Sequence, residues 1–544
     1  EKVPTRKFDA VIVGAGFGGL YMLHRLREQG LNARILEAGD GVGGTWYWNR
    51  YPGARCDVES MEYSYQFSDE LQQEWEWTER YASQPEILKY INHVADRFDL
   101  RRDIQLETRV RSAVYDEHDA RWIIEAESGD KFSARFYVMA TGCLSSTNLP
   151  NFEGLGDFKG ATYHTGRWPH TGVDFSGQRV GIIGTGSSAV QAIPIIAEQA
   201  THLTVFQRTP NYSVPARNGS LPADIQQSIK AEYSQFRETN NEMPFAFGSK
   251  YTYREDCAIE ATPQELKREY EERWDTGGLP FLGAFGDLLF DMEANKTAGD
   301  FIRAKIHKVV KDEKIAELLS PQQVVGCKRL CADTNYYETY NRPNVALVDI
   351  SGDPIERITA NGLTVKGKDY EFDAIVFATG FDAMTGSLFK VDIRGKNNLA
   401  LREKWAAGPR TYLGLGSAGF PNFFTISGPG SPSVLTNMLP SIEQHVNWIA
   451  DCIAYLEKND FHCIEPTLEA EDSWVEHVNA VADTTLFPTC NSWYLGANVP
   501  GKPRVFMPYI GFPPYVEKCN EVVAKGYAGF ELTAAGGTRA ESTG

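Results

Sequence analysis

Two short glycine runs, Gly14-Ala-Gly-Phe-Gly-Gly19 and Gly184-Thr-Gly-Ser-Ser-Ala189, leave this chain few architectures to choose from. The first follows an apolar, β-rich run at 8–13. Leu20, Met22, Leu23 and Leu26 then keep helical spacing until Gly30, and a strand at 32–36 ends in Glu37. Strand, glycine turn, helix, strand and acid is the order of a dinucleotide-binding unit. Gly14, Gly16, Gly18 and Gly19 let the backbone approach a pyrophosphate at the helix N-terminus, where free amides and the helix dipole favour anions. A carboxylate at Glu37 accepts from ribose hydroxyls and repels a 2′-phosphate, so this site wants FAD or NAD.

The second run repeats the pattern with a different ending. A strand at 179–183 leads into Gly184, Thr185, Gly186, Ser187 and Ser188, and a helix follows through 193. The next strand, 203–206, closes in Gln207-Arg208-Thr209 rather than in an acid. Arg208 and Thr209 suit a 2′-phosphate, which predicts NADP; the plainer alternative is a surface arginine. Ala189 stands where a third glycine is common, and alanine is tolerated there.

Ala140-Thr-Gly142 and Ala378-Thr-Gly380 are the same tripeptide after similar strands, and read as the two crossings between the nucleotide modules. Residues 218–320 break the α/β rhythm. Thr262-Pro-Gln-Glu265 is a capping box, and 301–310 and 315–319 are helical, so this is a helical insertion. The expected fold is α/β: two Rossmann-like dinucleotide-binding domains with a helical insertion in the second. The first domain takes 1–145 and 381–533, the second 146–217 and 326–380, and the insertion 218–325. The small, Gly-rich tail 534–544 is expected to be disordered.

Composition removes other classes. The formal net charge of −18 argues against a general nucleic-acid or anionic-membrane surface. No apolar run reaches the roughly 18 residues that a membrane helix needs, so no membrane insertion is expected. The nine cysteines are scattered without a Cys-x-x-Cys. A reduced, cytoplasmic protein whose thiols fill the core fits best, with no metal site, as a monomer or weak homo-oligomer.

Three further stretches carry chemistry. Gly43-Gly-Thr-Trp-Tyr-Trp-Asn-Arg-Tyr-Pro-Gly-Ala-Arg-Cys-Asp57 reads as a rigid aromatic loop beside a flat ring, or as a tight core loop. The charges around it disfavour full burial and make Asp57 a candidate site residue, or the partner of a structural arginine. Lys328-Arg329, arriving after the insertion, can bind phosphate or a carbonyl, or can be a solvated pair. Phe158-Lys-Gly-Ala-Thr-Tyr-His-Thr-Gly-Arg-Trp-Pro169 lies between the glycine runs, where it can couple the modules or pack as a surface turn. Residues 65–79 suggest no role.

Together these motifs resemble the type I Baeyer–Villiger monooxygenases. Phe158-x-Gly160-x-x-x-His164-x-x-x-Trp168-Pro169 matches that family's fingerprint, and Gly43-Gly44-x-Trp46…Tyr51-Pro52-Gly53…Asp57 matches its second motif. The resemblance covers all but the tail. It is strongest to the phenylacetone and steroid monooxygenase branch, as at Gly408-Pro-Arg-Thr-Tyr-Leu413 and Gly428-Pro-Gly-Ser-Pro-Ser433. It implies that NADPH reduces FAD, that O₂ gives a C4a-peroxyflavin, and that this inserts one oxygen beside a small-molecule ketone's carbonyl to form an ester or lactone. It implies Arg329 and Asp57 as catalytic residues. For FAD it implies Gly18, Glu37, Thr45, Trp46, Tyr47, Trp48, Asp57, Tyr63, Val110 and Met438. For NADP it implies Arg55, Arg208, Thr209, Lys328, Arg329 and Trp493. Phe158, Gly160, His164 and Trp168 would then couple the domains. Ser433, Val434, Leu435 and Leu439 would shape the substrate pocket.

Three rivals differ in class. An N- or S-oxygenating flavin monooxygenase needs no carbonyl-activating arginine. A flavin disulfide reductase needs a redox cysteine pair. A non-enzymatic NADP sensor needs neither the first site nor the loop at 46–48.

Overall fold

The computed structural model describes residues 3–536 and, for the backbone, 539–540. Arg6–Val13 is buried on both faces from Ala10 onward, as a parallel central strand must be. It lies between Ala33–Leu36 and Lys131–Met139, with Val13 opposite Leu36 and Met139. The eight-stranded sheet runs Asp392–Arg394, Val110–Asp116, Arg121–Ala126, Lys131–Met139, Arg6–Val13, Ala33–Leu36 and Ile104–Gln105. Phe423–Thr425 also pairs with Lys131–Met139. The chain thus returns to its first sheet after the second module. Helix Phe17–Glu28 packs against helix Met438–Lys458, and Leu20, Leu23 and Leu26 share a core with Ile442, Val446 and Ile449. Full burial of each such side chain contributes roughly 1.5–3 kcal/mol.

The second sheet has five parallel strands in the order Val345–Asp349, His202–Gln207, Arg179–Ile183, Ala374–Phe377 and Ala161–His164. Helix Ser187–Gln199 covers it through Val190, Ile193 and Ile196. Its edge strand, Ala161–His164, comes from the middle of the 158–169 stretch. A β-carbon on Gly160 would lie 2.4 Å from the Asp373 carbonyl oxygen, so only glycine lets the strand enter this edge.

The insertion holds helices Ala223–Ala231, Tyr233–Asn241, Pro263–Thr276, Met292–Val309 and Glu313–Leu319. Both bonds of the Thr262/Glu265 capping box form. The fourth helix starts at Met292 rather than near 301 because Asp291 caps it, accepting from the Ala294 amide at 2.9 Å. Stretch 65–79, silent in the sequence, forms part of the seat of this insertion. Arg237 donates to Gln72 and to the Tyr65 carbonyl, and the Trp77 amide donates to Gln226.

One expectation is corrected. Cys327 and Cys490 form a disulfide across 163 residues, while the other seven cysteines are free. Their sequence spacing carries no sign of this, because only the tertiary fold brings them together. Of the tail 534–544, expected to be disordered, Ala534 closes a strand and the backbone of Arg539–Ala540 is paired. Phe530–Ala534 pairs with Phe461–Pro466, and Arg539–Ala540 pairs with Leu532 and Thr533. Residues 537–538 and 541–544 lie outside the described residues. Among the described residues no helix is long and apolar enough to cross a membrane.

Candidate active site

One cavity of about 1130 Å³ lies between the two sheets, at the carboxyl ends of their central strands. Helices Phe17–Glu28 and Ser187–Gln199 both point their N-termini at it. Gly16, Phe17 and Gly18 line one wall, and Gly184, Thr185, Gly186, Ser187 and Ser188 line another. Neither helix has a side-chain cap. The first four amides of a helix lack intrahelical acceptors, so each end presents free donors and the positive end of a dipole. Two such ends facing one cavity suit two diphosphates.

On the first side Glu37 is buried, and its two oxygens accept from the Ala15 and Gly39 amides at 2.9 and 2.8 Å. The carboxylate is therefore fixed on the cavity wall. Thr45, Trp46, Trp48, Tyr63, Val110 and Met438 line the same side, and Trp46 Nε1 donates to the Tyr63 hydroxyl at 3.0 Å. Tyr47 does not join them. The helical turn Thr45–Trp48 rotates it outward, where its hydroxyl binds Asp40 and its ring meets His170 edge-on at 4.9 Å. Gly19 likewise sits behind the turn, against Gly14, and off the wall.

On the second side Arg208, Thr209 and Lys328 line the cavity with Arg55. Burial, then the charge of Arg208, lowers the Lys328 ammonium from its usual range. Neither cation has an acidic partner in ion-pair range among the described residues, so the site lacks an anion of its own. Arg55 is already engaged, with Glu79 at 3.0 Å and with the Tyr81 carbonyl.

Arg329 and Asp57 meet where the two sides join. Arg329 Nε and Nη2 donate to the two Asp57 oxygens at 2.9 and 3.0 Å, and Nη1 donates to the Val434 carbonyl at 2.9 Å. Burial alone would lower the guanidinium pKa; the Asp57 charge, then Tyr494 and the Asp57 hydrogen bonds, raise it instead. Asp57 is placed by its own loop. The Tyr51 hydroxyl donates to Gln191 at 2.6 Å, and Gln191 donates back to the Arg55 carbonyl at 2.9 Å. Gly53 has φ +82°, and a β-carbon there would lie 2.4 Å from the Gln191 carbonyl oxygen. The loop 43–57 is thus clamped onto the helix of the other domain.

Beside Arg329 the wall becomes apolar. Val434, Cys143, Leu144 and Trp493 line the cavity there. Leu435 lies just behind, in a cluster with Met384, Phe487, Tyr494 and Phe506, against which Phe245 of the insertion packs. Ser433 is fully buried, its hydroxyl donating to the Ser427 carbonyl at 3.2 Å. Leu439 belongs to the core between helices and not to the wall. Tyr494 and Phe245 carry no sequence signal. Tyr494 could have been suspected only as the neighbour of Trp493.

The 158–169 stretch stays behind the cavity, reaching it only through Gly166 and Arg167. His164 Nδ1 accepts from the Gly166 amide at 2.9 Å, which leaves Nε2 as the protonated nitrogen. Nε2 lies 3.1 Å from the Asn148 carbonyl and 3.2 Å from Thr379 Oγ1. One ring therefore joins the second crossing, at Thr379, to the segment that follows the first, at Asn148. Burial lowers its pKa, so it stays neutral here. Trp168 is buried among Tyr163 and Phe175, and Phe158 packs near Phe377.

Residues 11–270 match the family model described as pyridine nucleotide-disulphide oxidoreductase. A Baeyer-Villiger monooxygenase of Pseudooceanicola batsensis is 46% identical over 525 residues, covering 96% of this chain and 95% of the relative. The structure of an oxidized steroid monooxygenase bound to NADP is 53% identical with a TM-score of 0.92, covering 97% of this chain and all of the other. A structure of OTEMO in complex with FAD and NADP is 41% identical with a TM-score of 0.93, covering 97% and 100%.

Proposed function

The chain belongs to the Baeyer–Villiger monooxygenases, and from that membership we propose that Asp57 and Arg329 form the catalytic pair of an FAD- and NADPH-dependent ketone oxygenation. The observation that carries this reading is the three-point fixing of Arg329 between both dinucleotide clefts and an apolar wall.

The first cleft would hold FAD through the free amides at 16–18, Glu37 and the wall built by Trp46 and Trp48. Gly186 to Ser188 would hold the NADPH diphosphate in the second cleft, and Arg208 and Lys328 would hold its 2′-phosphate. When bound, NADPH supplies a hydride and FAD accepts it and activates O₂. The remaining work falls to the chain. Arg329 presents a fixed positive charge to the negative charge that develops on the ketone oxygen. Asp57 orients the guanidinium and balances its charge before the ketone binds. A lysine could not copy this, since two parallel donors meet the carboxylate while a third holds a carbonyl. Val434, Leu144 and Cys143 receive the apolar body of the ketone, with Trp493 on the NADP side. His164 braces the second crossing by tying Thr379 to Asn148, and takes no proton from the reaction.

Replacing Arg329 by alanine tests the assignment. The variant should retain FAD and be reduced by NADPH, yet release no ester from phenylacetone by gas chromatography. Ester formation at near the parent rate would overturn the role given to Arg329.

A further inference from the structure

The loop that carries Trp493 is fastened to the catalytic segment by a covalent bond. Cys490 stands three residues before Trp493, and Cys327 stands immediately before Lys328 and Arg329. The Cys327 side is held to the insertion: Asn295 both accepts from the Val325 amide and donates to the Val325 carbonyl. Tyr494 of the same loop also meets Arg329, while further polar ties of the loop run to the second crossing and its neighbour. Asn498 donates to the Phe381 carbonyl, Asn148 donates to the Asn498 carbonyl, and Lys502 pairs with Asp382. The disulfide is therefore the covalent tie that sets Asn491, Ser492 and Trp493 over the wall built by Lys328 and Arg329.

We propose that Cys327–Cys490 is a reversible thiol–disulfide site: oxidised, it holds the 491–493 loop against the NADP cleft, and reduced by a dithiol, it releases the loop. The proposal rests on the assignment of that cleft to NADP. Accessibility gives the reaction a direction, because Cys490 is partly exposed while Cys327 is buried. A dithiol thiolate attacks Cys490 Sγ, the S–S bond breaks, and Cys327 leaves as a thiolate. The second thiol of the reagent then closes on the mixed disulfide and frees Cys490. Two electrons and two protons pass to the cysteine pair, and the reagent ends as a cyclic disulfide.

The test uses the purified holoenzyme before and after dithiothreitol. Titration of denatured protein should find seven thiols before treatment and two more after it. Reduction should weaken NADP⁺ binding on the order of tenfold, the loss expected if the freed loop occupies its closed position about a tenth of the time. Tryptic cleavage after the exposed Arg504, read without nucleotide, should speed up in parallel. A Cys327→Ser/Cys490→Ser variant should show the reduced values and ignore the reagent. Nine thiols in untreated protein would overturn the proposal. So would unchanged cleavage and unchanged NADP⁺ affinity once the two extra thiols have appeared. Absence of NADP⁺ binding to the oxidised enzyme, with cleavage still redox-dependent, would overturn the cleft assignment and keep the latch.

Discussion

Arg329→Lys separates the charge of the proposed catalytic cation from its geometry. Arginine makes three charge-assisted hydrogen bonds, at 2.9 and 3.0 Å to Asp57 and 2.9 Å to the Val434 carbonyl. A lysine ammonium is a single nitrogen on a shorter stem and can hold one of these partners at a time. Hydrogen bonds to charged groups contribute about 1.5–3 kcal/mol each. The Arg329 and Asp57 side chains are 27% and 26% exposed, which places them at the low end of that range. Loss of two such bonds costs about 3 kcal/mol, enough to let the charge wander without unfolding the domain. Removing one preorganised donor to a developing oxyanion typically costs ~10²–10³ in kcat. Ester formation should therefore fall about 100-fold, while anaerobic flavin reduction by NADPH, followed by stopped-flow absorbance, stays within about threefold. A lysine enzyme that forms ester within about threefold of the parent would show that charge alone suffices, and that the fork geometry is incidental.

Other outcomes follow from the same contacts. Arg208→Gln should raise the KM for NADPH by roughly 10- to 100-fold and leave that for NADH nearly unchanged, since only the 2′-phosphate loses its partner; equal loss with both nucleotides would refute this. Gly53→Ala places a side chain at φ +82° against the Gln191 carbonyl, and should lower stability by about 2 kcal/mol or more and raise the KM for NADPH, checked by thermal melts and steady-state kinetics. His445 is fully buried, with Nδ1 accepting from the Ser427 amide, and burial lowers its pKa to about 3. Its folded pKa lies below the unfolded value, so its stabilising effect is complete above about pH 6.5 and is lost as pH falls toward the folded pKa. At pH 5 this amounts to about 2 kcal/mol, and His445→Gln should flatten the fall in melting temperature between pH 7 and 5.

Local pattern was legible wherever it repeats within a few residues. The strands Arg179–Ile183 and Ala374–Phe377 have the bounds read from the sequence, because β-branched runs there end at glycine or Ala-Thr-Gly. The capping box at Thr262 was equally plain. The Asp57–Arg329 pair was legible only through its two motifs, since 272 residues separate its members. What escaped depends on side-chain direction or on distant partners. Tyr47 lies in the right motif but on the wrong face of one helical turn. Ala161–His164 looks like a turn because Gly160 and Pro169 flank its stretch, and tertiary pairing with Ala374–Phe377 overrides that local signal. The seat at 65–79 has no meaning without the insertion that Arg237 anchors to it.

On the expected domain bounds Arg329 belongs by chain to the NADP domain, yet all three of its hydrogen-bond anchors, Asp57 twice and Val434, belong to the FAD domain. The cation is thus referenced to one body while its backbone rides on the other. Any rotation of the NADP domain must either stretch the segment after Val325 or give up those bonds. Binding and domain position are then two sides of one thermodynamic cycle: the free energy with which the carboxylate favours the docked arrangement is the free energy with which docking favours the ion pair. A substitution at Asp57 should therefore loosen the NADP domain as well as slow the reaction, and the two losses should share one origin.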